Sequence, residues 1–260
     1  MPVMPISRLV YELLEPYGGA DALLVAAKPG VAAAAALAAR RCRGDDGAPL
    51  DIAALPVGDL DAIVAELRGA ALGDRLTAEA ACPACDARVD VDLSLAELRA
   101  HHRPRPYRGV AAADDGWYRL RDGATTFRAP TVADVMSVSA ASTGRRELVA
   151  RCVRGDSSTG KLRVVERALE QLAPTLHTDI AGSCPECGAE VVLGCDTREL
   201  CLEELKSIAC DVIEDVHLIA SAYHWSEASI LALPSAHRRR YAALIRADRA
   251  SLIASEALDV

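Results

Sequence analysis

Two short motifs contain the residues of this chain that are best suited to chemistry. They are Cys82-Pro83-Ala84-Cys85 and Cys184-Pro185-Glu186-Cys187. Each motif places two thiols three positions apart, and two such pairs supply the four ligands that a tetrahedral structural zinc ion requires. The sequence therefore predicts a structural Zn²⁺ site. Its predicted ligands are Cys82, Cys85, Cys184 and Cys187.

The segments that begin with these motifs repeat each other. CPACDARVDVDLSLAEL and CPECGAEVVLGCDTREL share both cysteines, the proline, an alanine and a valine after the motif, and a closing Glu-Leu. Such a repeat indicates two copies of one small unit. Four thiolates would saturate one shared ion and leave no position for a catalytic water, so the zinc is expected to be structural.

Two other arrangements of the cysteines remain open at this stage. Two separate sites would form if His101 or His102 completed the first and Cys195 or Cys201 completed the second. A redox pair would require CxxC at the start of a helix after a buried strand, whereas the flanking segments here resemble short polar strands. This context favours metal binding.

Composition limits the class of protein. Of the 260 residues, 51% are hydrophobic and only 3% are aromatic, so we expect a globular, helix-rich core of Ala, Leu, Val and Ile. The net charge of −8 argues against a general nucleic-acid-binding protein. The apolar tract from Val31 to Ala39 is too short to span a bilayer, and we expect a cytoplasmic protein whose cysteines are reduced.

The patterns around the first motif predict elements that position it. A helix is expected from Ile6 to Leu14 and another over 59–71, with Asp59 as its N-cap and Gly73 ending it. Strands are expected on both sides of the first motif, because Val89, Val91 and Leu93 alternate with charged residues. The predicted unit is helix, strand, knuckle, strand.

The remaining patterns predict a β-hairpin and further helices. The hairpin follows the linker at 101–106 and turns at Asp122-Gly123, and helices follow over 132–140, 145–153 and 163–173. After the second motif we expect one long helix from 202 to 223, a short helix capped by Ser226, and a basic last helix capped by Ser235.

The predicted fold class is α+β and helix-rich: a zinc-ribbon-like composite of two CPxC hairpins with a β-hairpin and helical insertion and a C-terminal helical hairpin. The predicted segments are 1–54 (N-terminal and helical), 55–100 (helix and first knuckle), 101–183 (insertion) and 184–260 (second knuckle and C-terminal helices).

No other group of residues predicts catalysis or cofactor binding. The stretch from Gly155 to Lys161 matches part of a phosphate-binding loop, but Leu162 follows where Ser or Thr must hold Mg²⁺. The histidines are not spaced to activate a nucleophile, and the isolated Cys42, Cys152, Cys201 and Cys210 are expected to behave as small apolar residues. The arginines of the last helix predict a solvated face, or a face that docks on an acidic partner or on the chain's own acidic surface. They are Arg238, Arg239, Arg240, Arg246 and Arg249.

From Leu55 to Cys85 the chain resembles the T4-like phage baseplate hub assembly chaperones and their relatives in phage-like contractile injection systems. The matching residues there are Asp59, Leu67, Arg68, Gly73, Cys82 and Cys85. The second knuckle and the tail HWSEASILALPSAHRRRYAALI resemble the C-terminal half of the injection-system relatives. The matching tail residues are Trp225, Leu233, Pro234, Arg238 and Tyr241. Residues 1–50 and most of the middle segment, apart from FRAPTVADV, depart from the pattern.

This resemblance implies a non-enzymatic assembly chaperone, or a structural component, of the baseplate hub or tail tip of a contractile tail. The implied partners are baseplate hub or tail-tip proteins, with no membrane and no small-molecule substrate. The protein would be cytoplasmic or would be incorporated into a phage or phage-like particle. The alternative hypothesis from the knuckles and the arginine-rich tail is a zinc-ribbon nucleic-acid-binding or transcription-associated protein.

Overall fold

The structure, a computed structural model, describes residues 1–14, 28–138 and 144–256 and combines helices with small antiparallel sheets. The helices are α1 (Val31–Arg41), α2 (Val57–Leu72), α3 (Leu95–His101), α4 (Val132–Val138), α5 (Gly144–Arg151), α6 (Thr159–Leu172), α7 (Thr197–Tyr223), α8 (Glu227–Leu231) and α9 (Ser235–Glu256). The strands are β1 (Tyr11–Leu13), β2 (Cys42–Gly44), β3 (Arg75–Ala81), β4 (Arg88–Ser94), β5 (Val110–Ala112), β6 (Trp117–Leu120), β7 (Thr126–Arg128), β8 (Val153–Arg154), β9 (His177–Ser183) and β10 (Glu190–Asp196).

The chain divides into two compact units, and the boundary falls within α7. The first unit comprises Met1–Leu14 and Pro29–Leu202, and it contains both cysteine motifs. The second contains the described residues from Glu203 onward. The first unit thus draws residues from all four of the segments predicted from the sequence.

The predicted helix from Ile6 to Leu14 is wrong. Residues 11–13 form β1, which pairs antiparallel with β2. The carboxylate of Asp59, fully buried on α2, accepts hydrogen bonds from the backbone amides of Ile6 and Ser7, both at 2.8 Å. Because those amides bond to a distant side chain, and because Arg8 has a φ of 64°, the segment turns back instead of continuing as a helix.

The central helix of the first unit is α2, which confirms the helix predicted over 59–71. Pro56, rather than Asp59, occupies its N-cap position, so the predicted capping role of Asp59 is also wrong. Gly73, with a φ of 85°, ends the helix as expected. A Cβ atom on Gly58 would lie 2.2 Å from the Pro174 carbonyl oxygen, so glycine is required where the chain passes so closely.

The predicted hairpin at Asp122-Gly123 is present as β6 and β7, and β5 and β8 extend it to a four-stranded sheet in the order β5-β6-β7-β8. One face of the sheet is buried, with Leu120 and Phe127 packed against Leu162 and Val165 of α6. The opposite face carries Trp117 together with Arg119, Arg128 and Arg154. Of the helix predicted over 132–140, α4 accounts for 132–138, and residues 139–140 lie outside the described residues.

The second unit contains most of α7, together with α8 and α9. Ile219, Ile230 and Ile245 pack together as its core. Ser226 accepts a hydrogen bond from the Ser229 amide at 3.2 Å, which confirms Ser226 as the cap of α8. In the described parts of the chain, no helix combines the length and the apolar character needed to cross a membrane.

Candidate metal centre

Two β-hairpins of matching length present the cysteine motifs at their tips. In the first, β3 pairs with β4 over seven residues, from Arg75 opposite Ser94 to Ala81 opposite Arg88. In the second, β9 pairs with β10 over seven residues, up to Ser183 opposite Glu190. The strands predicted around the first motif are therefore confirmed, and the second motif lies in the same setting.

The two turns also share their hydrogen bonds. The Cys82 amide donates to the Ala87 carbonyl at 2.9 Å, and the Asp86 amide donates to the Cys82 carbonyl at 2.9 Å. In the second turn the Cys184 amide donates to the Ala189 carbonyl at 2.8 Å, and the Gly188 amide donates to the Cys184 carbonyl at 2.9 Å. The backbone is left-handed at both Asp86 (φ 59°) and Gly188 (φ 73°). The turns are thus two copies of one geometry.

The hairpin tips meet so that the four predicted ligands form one cluster. Their Sγ atoms all lie within 4.8 Å of one another. The closest approaches cross from one hairpin to the other, with 3.6 Å between Cys82 and Cys187 and 3.7 Å between Cys85 and Cys184. Four thiol groups at these separations could hold a single metal ion.

The alternative residues for two separate sites do not belong to this cluster. Neither His101 nor His102 is within it, and Cys195 instead lies 3.6 Å from the Thr197 hydroxyl. Among residues 1–14, 28–138 and 144–256, the four cysteines are the one group of three or more His, Cys, Asp or Glu side chains arranged to hold an ion. The geometry therefore favours a shared site.

Each motif buries its first cysteine and exposes its second. Cys82 and Cys184 are buried, and both pack with Val191 in a small apolar core beneath the cluster. Hydrogen bonds from the Ala84 and Cys85 amides lower the pKa of Cys82 to about 7. The Ala87 amide acts to lower the pKa of Cys85 too, but the neighbouring thiols outweigh it and raise that pKa to about 12. Backbone amides directed at sulfur favour the thiolate form that metals bind.

The second hairpin is joined to α2 by a buried ion pair. Arg198 donates to Asp61 at 2.8 Å, and the side chains are 13% and 3% exposed respectively. Asp61 also accepts from the Leu176 amide at 3.1 Å, just before β9. Burial raises the pKa of Asp61, while Arg198 counteracts that shift. Arg198 reaches Asp196 as well, at 3.1 Å, so one guanidinium connects the helix to the end of the hairpin.

The polar contacts of the first hairpin are mainly exposed, while Leu76 and Ala78 of β3 are buried. Asp74 accepts from the Ser94 hydroxyl at 2.6 Å and from the Ala96 amide at 2.8 Å, and Ser94 caps α3. Two ion pairs cross its strands on the solvent side. They are Arg75 with Asp92 and Arg88 with Glu79.

Asp61 and Arg198 support the site but were not predicted from the sequence. The available signal was the presence of two aspartates, Asp59 and Asp61, in an otherwise apolar stretch of α2. A buried carboxylate requires a partner. The partner of Asp61 lies 137 positions away, which no local pattern indicates.

Other predicted residues lie away from the cluster. Lys161, at the phosphate-loop-like stretch, forms an ion pair with Asp122. Cys42, Cys152 and Cys201 are buried, as expected for small apolar residues, while Cys210 is partly buried. In the last helix Arg238 is buried and Arg246 donates to the buried Asp215 at 2.9 Å. Arg238 is therefore not part of the predicted solvated face, and Arg246 pairs with an acidic residue of the chain itself.

Comparison of the chain with protein-family models, curated proteins and solved structures found no match.

Proposed function

We propose that the four-cysteine cluster binds one structural Zn²⁺ and turns the two hairpins into a zinc-ribbon-like unit. The single observation that supports this most strongly is the set of Sγ separations. Tetrahedral zinc with Zn–S bonds of about 2.3 Å holds its sulfur ligands about 3.8 Å apart. The 3.6 Å and 3.7 Å distances between the hairpins come close to that value before any adjustment. An all-sulfur tetrahedral donor set suits zinc better than magnesium or calcium, which prefer oxygen.

The role of this zinc follows from where its ligands lie in the chain. Cys82 and Cys187 are 105 positions apart, so the ion closes a long excursion that contains the four-stranded sheet and α4 to α6. The free energy of metal binding then contributes directly to folding. Four thiolate ligands leave no open position for water or substrate, which supports a structural role rather than catalysis.

We further propose that the protein acts through protein–protein contacts, as an assembly chaperone or structural component of a baseplate hub or tail tip in a contractile phage tail or phage-like injection system. The support is the resemblance over Leu55 to Cys85. The residues that carry it are built into the first unit: Asp59 anchors the N-terminal turn, and Arg68 donates to the Gly73 carbonyl at 2.6 Å. These contacts hold the N-terminal turn on α2 and close the C-terminal end of that helix.

Metal analysis of the purified protein tests the zinc proposal. We expect about one zinc per chain, and a chelator that removes it should lower the unfolding midpoint of the first unit. Two zinc ions per chain would refute the shared site. Purified, folded protein without metal would refute the structural role.

Co-expression with hub or tail-tip proteins of a contractile tail, where neighbouring genes encode them, tests the assembly role. We expect a tagged chain to co-purify with one of them, and deletion of its gene to abolish normal particles. Failure to co-purify, together with normal particles after deletion, would contradict this function.

One observation favours the nucleic-acid-binding alternative. On the outer face of the four-stranded sheet, the Arg154 guanidinium lies 3.8 Å from the centre of the Trp117 ring, and the Arg128 guanidinium lies at 5.8 Å. Arginine and aromatic side chains together can bind single-stranded nucleic acid. Salt-dependent binding of an oligonucleotide that is lost in Arg119→Glu and Arg154→Glu would support this alternative, and its absence would exclude it.

A further inference from the structure

A cavity of the first unit concentrates positive charge on an otherwise acidic chain. It has a volume of about 540 Å³, and its lining includes Arg8, Arg99 and Arg103. We call it the basic cavity. No Asp or Glu is among the described residues that line it. Since the whole chain carries a net charge of −8, this concentration of positive charge is local.

Two of the three arginines are available to a ligand. Arg99 forms an ion pair with Glu66 at 3.3 Å. The exposed side chains of Arg8 and Arg103 form no ion pair or hydrogen bond with any described residue. A guanidinium presents several N–H donors in a planar arrangement that suits a carboxylate, so these two side chains could bind an acidic group.

The backbone that carries Arg8 is fixed by the hydrogen bonds of Asp59 to the two preceding residues. The Met4 amide closes the same turn by donating to the Leu9 carbonyl at 2.9 Å. Arg8 itself has a φ of 64°, which is costly for a residue with a Cβ atom and persists only where the surrounding structure imposes it. The first turn of the chain therefore holds Arg8 at the rim of the cavity.

A second cavity, of about 430 Å³, adjoins the basic one. The two share Gly58, His102 and Pro174 in their linings. We call the second the apolar cavity, because most of its lining is apolar. Its apolar lining includes Ile6, Val57, Val135, Leu148, Val149 and Leu169. Two acidic side chains, Glu166 and Glu170, also line it.

We propose that the two cavities together bind an acidic peptide segment of a partner protein. Carboxylates of the segment would bind Arg8 and Arg103, and an adjacent aliphatic side chain would enter the apolar cavity. This inference rests on the proposed function as a protein-binding assembly factor, and it specifies the chemistry of the partner.

The exposure of the arginines favours a peptide over a small anion. One exposed ion pair contributes too little to hold a single carboxylate such as acetate. A segment with several carboxylates engages both arginines at once, and burial of a leucine side chain adds a hydrophobic contribution. The two cavities are thus best matched by aliphatic residues directly adjacent to acidic ones.

Fluorescence anisotropy with a labelled synthetic peptide, Asp-Asp-Leu-Leu-Asp-Glu, tests the proposal. We expect saturable binding that weakens at least tenfold when Asn and Gln replace the acidic residues, and at least tenfold when Ser replaces both leucines. Equal binding of all three peptides, or no binding of the first, would overturn the proposal. Tighter binding of a single-stranded DNA oligonucleotide than of the acidic peptide would also overturn it.

A pair of charge-reversal variants locates the binding. Arg8→Glu combined with Arg103→Glu should weaken peptide binding at least tenfold. Arg163→Glu combined with Arg167→Glu is the matched control, because these exposed arginines of α6 line neither cavity. Circular dichroism and metal content show whether each variant is folded, and the milder Arg103→Gln serves if the double variant is not. Equal weakening by the control would overturn the assignment.

The peptide assay and the co-purification assay test separate claims, so one can fail while the other succeeds. If the peptide does not bind but a hub protein still co-purifies, the cavity proposal is wrong and the assembly function stands. If the peptide binds through Arg8 and Arg103 but no hub or tail-tip protein co-purifies, the cavity assignment stands and the assembly function is wrong.

Discussion

The two cysteine hairpins have matching turns at the metal cluster and different attachments to the rest of the first unit. Each strand pair extends over seven residues, and each turn has the same two backbone hydrogen bonds. The strand ends differ. The first hairpin relies on Asp74 and on ion pairs at the solvent surface, whereas the second relies on the buried pair of Asp61 and Arg198.

This difference indicates which parts of the repeat a shared metal ion would constrain. The turn must direct two sulfur atoms and several amides at one point, so its geometry is the same in both copies. The outer ends carry no such requirement, and each uses the contacts that its surroundings provide. Breaking a buried ion pair costs about 3–5 kcal/mol, while an exposed pair contributes up to about 1 kcal/mol, so the two attachments should differ in strength.

The largest expected effect tests whether both hairpins supply ligands to one shared metal ion. Cys82→Ser and Cys184→Ser each remove one of four shared ligands, so both should lose zinc and lower the free energy of unfolding by several kcal/mol. Metal content and urea denaturation measure the two effects. Cys210→Ser is the control, because that partly buried thiol lies outside the cluster and should keep the zinc. If only one ligand variant lost metal, the shared site would be wrong.

The next effect tests the difference in attachment. Asp61→Asn leaves Arg198 without its buried counter-charge and should destabilise the first unit by about 3 kcal/mol. Asp92→Asn removes an exposed ion pair of the first hairpin and should destabilise the first unit much less. Urea denaturation of the two zinc-loaded variants compares them directly. Equal losses would show that burial of the pair does not distinguish the hairpins.

A smaller effect concerns the left-handed residue of each turn. Gly188→Ala places a Cβ atom at a φ of 73° and should destabilise by about 1 kcal/mol. Asp86→Gly should change stability by less than about 0.5 kcal/mol, because relief of the left-handed strain is offset by the greater freedom of glycine in the unfolded chain. Thermal unfolding at saturating zinc measures both variants. If Gly188→Ala left the thermal unfolding unchanged, the left-handed backbone at this turn position would be contradicted.

The smallest effect is the pH dependence of the first hairpin. The Ser94 hydroxyl and the Ala96 amide lower the pKa of Asp74, and the Thr77 hydroxyl and Arg75 lower that of Asp92, each from 3.8. Because the folded values lie below the unfolded ones, these contacts stabilise the fold above pH 3.8, and the contribution is lost as the pH falls through the folded pKa. Carboxyl ¹³C NMR titration should give values below 3.8 for both residues. Values at or above 3.8 would show that these exposed contacts are not formed in solution.

Local patterns predicted much of the fold and all four residues of the cluster. Hydrophobic spacing indicated α2 and α7, and the cysteine spacing indicated the four residues but left one shared site or two separate sites open. Residues 6–14 were predicted wrongly because the amides of Ile6 and Ser7 bond to Asp59, more than 50 positions away. Strands β5 and β8 were missed because they contain only three and two residues, too few to show an alternating pattern. Helix α3 was missed although Ser94 and Glu97 provide a helix-start signal.

The separation of the ligands along the chain has a consequence during synthesis. Cys82 and Cys187 are 105 positions apart, and ribosomes add about 5–20 residues per second, so the first cysteine pair leaves the ribosome roughly 5–20 s before the second. In that interval a metal ion bound to the first turn would have only two protein ligands. The first pair would therefore be exposed to oxidation and to exchange with other thiols until Cys184 and Cys187 emerge, and a shared site could not form before then.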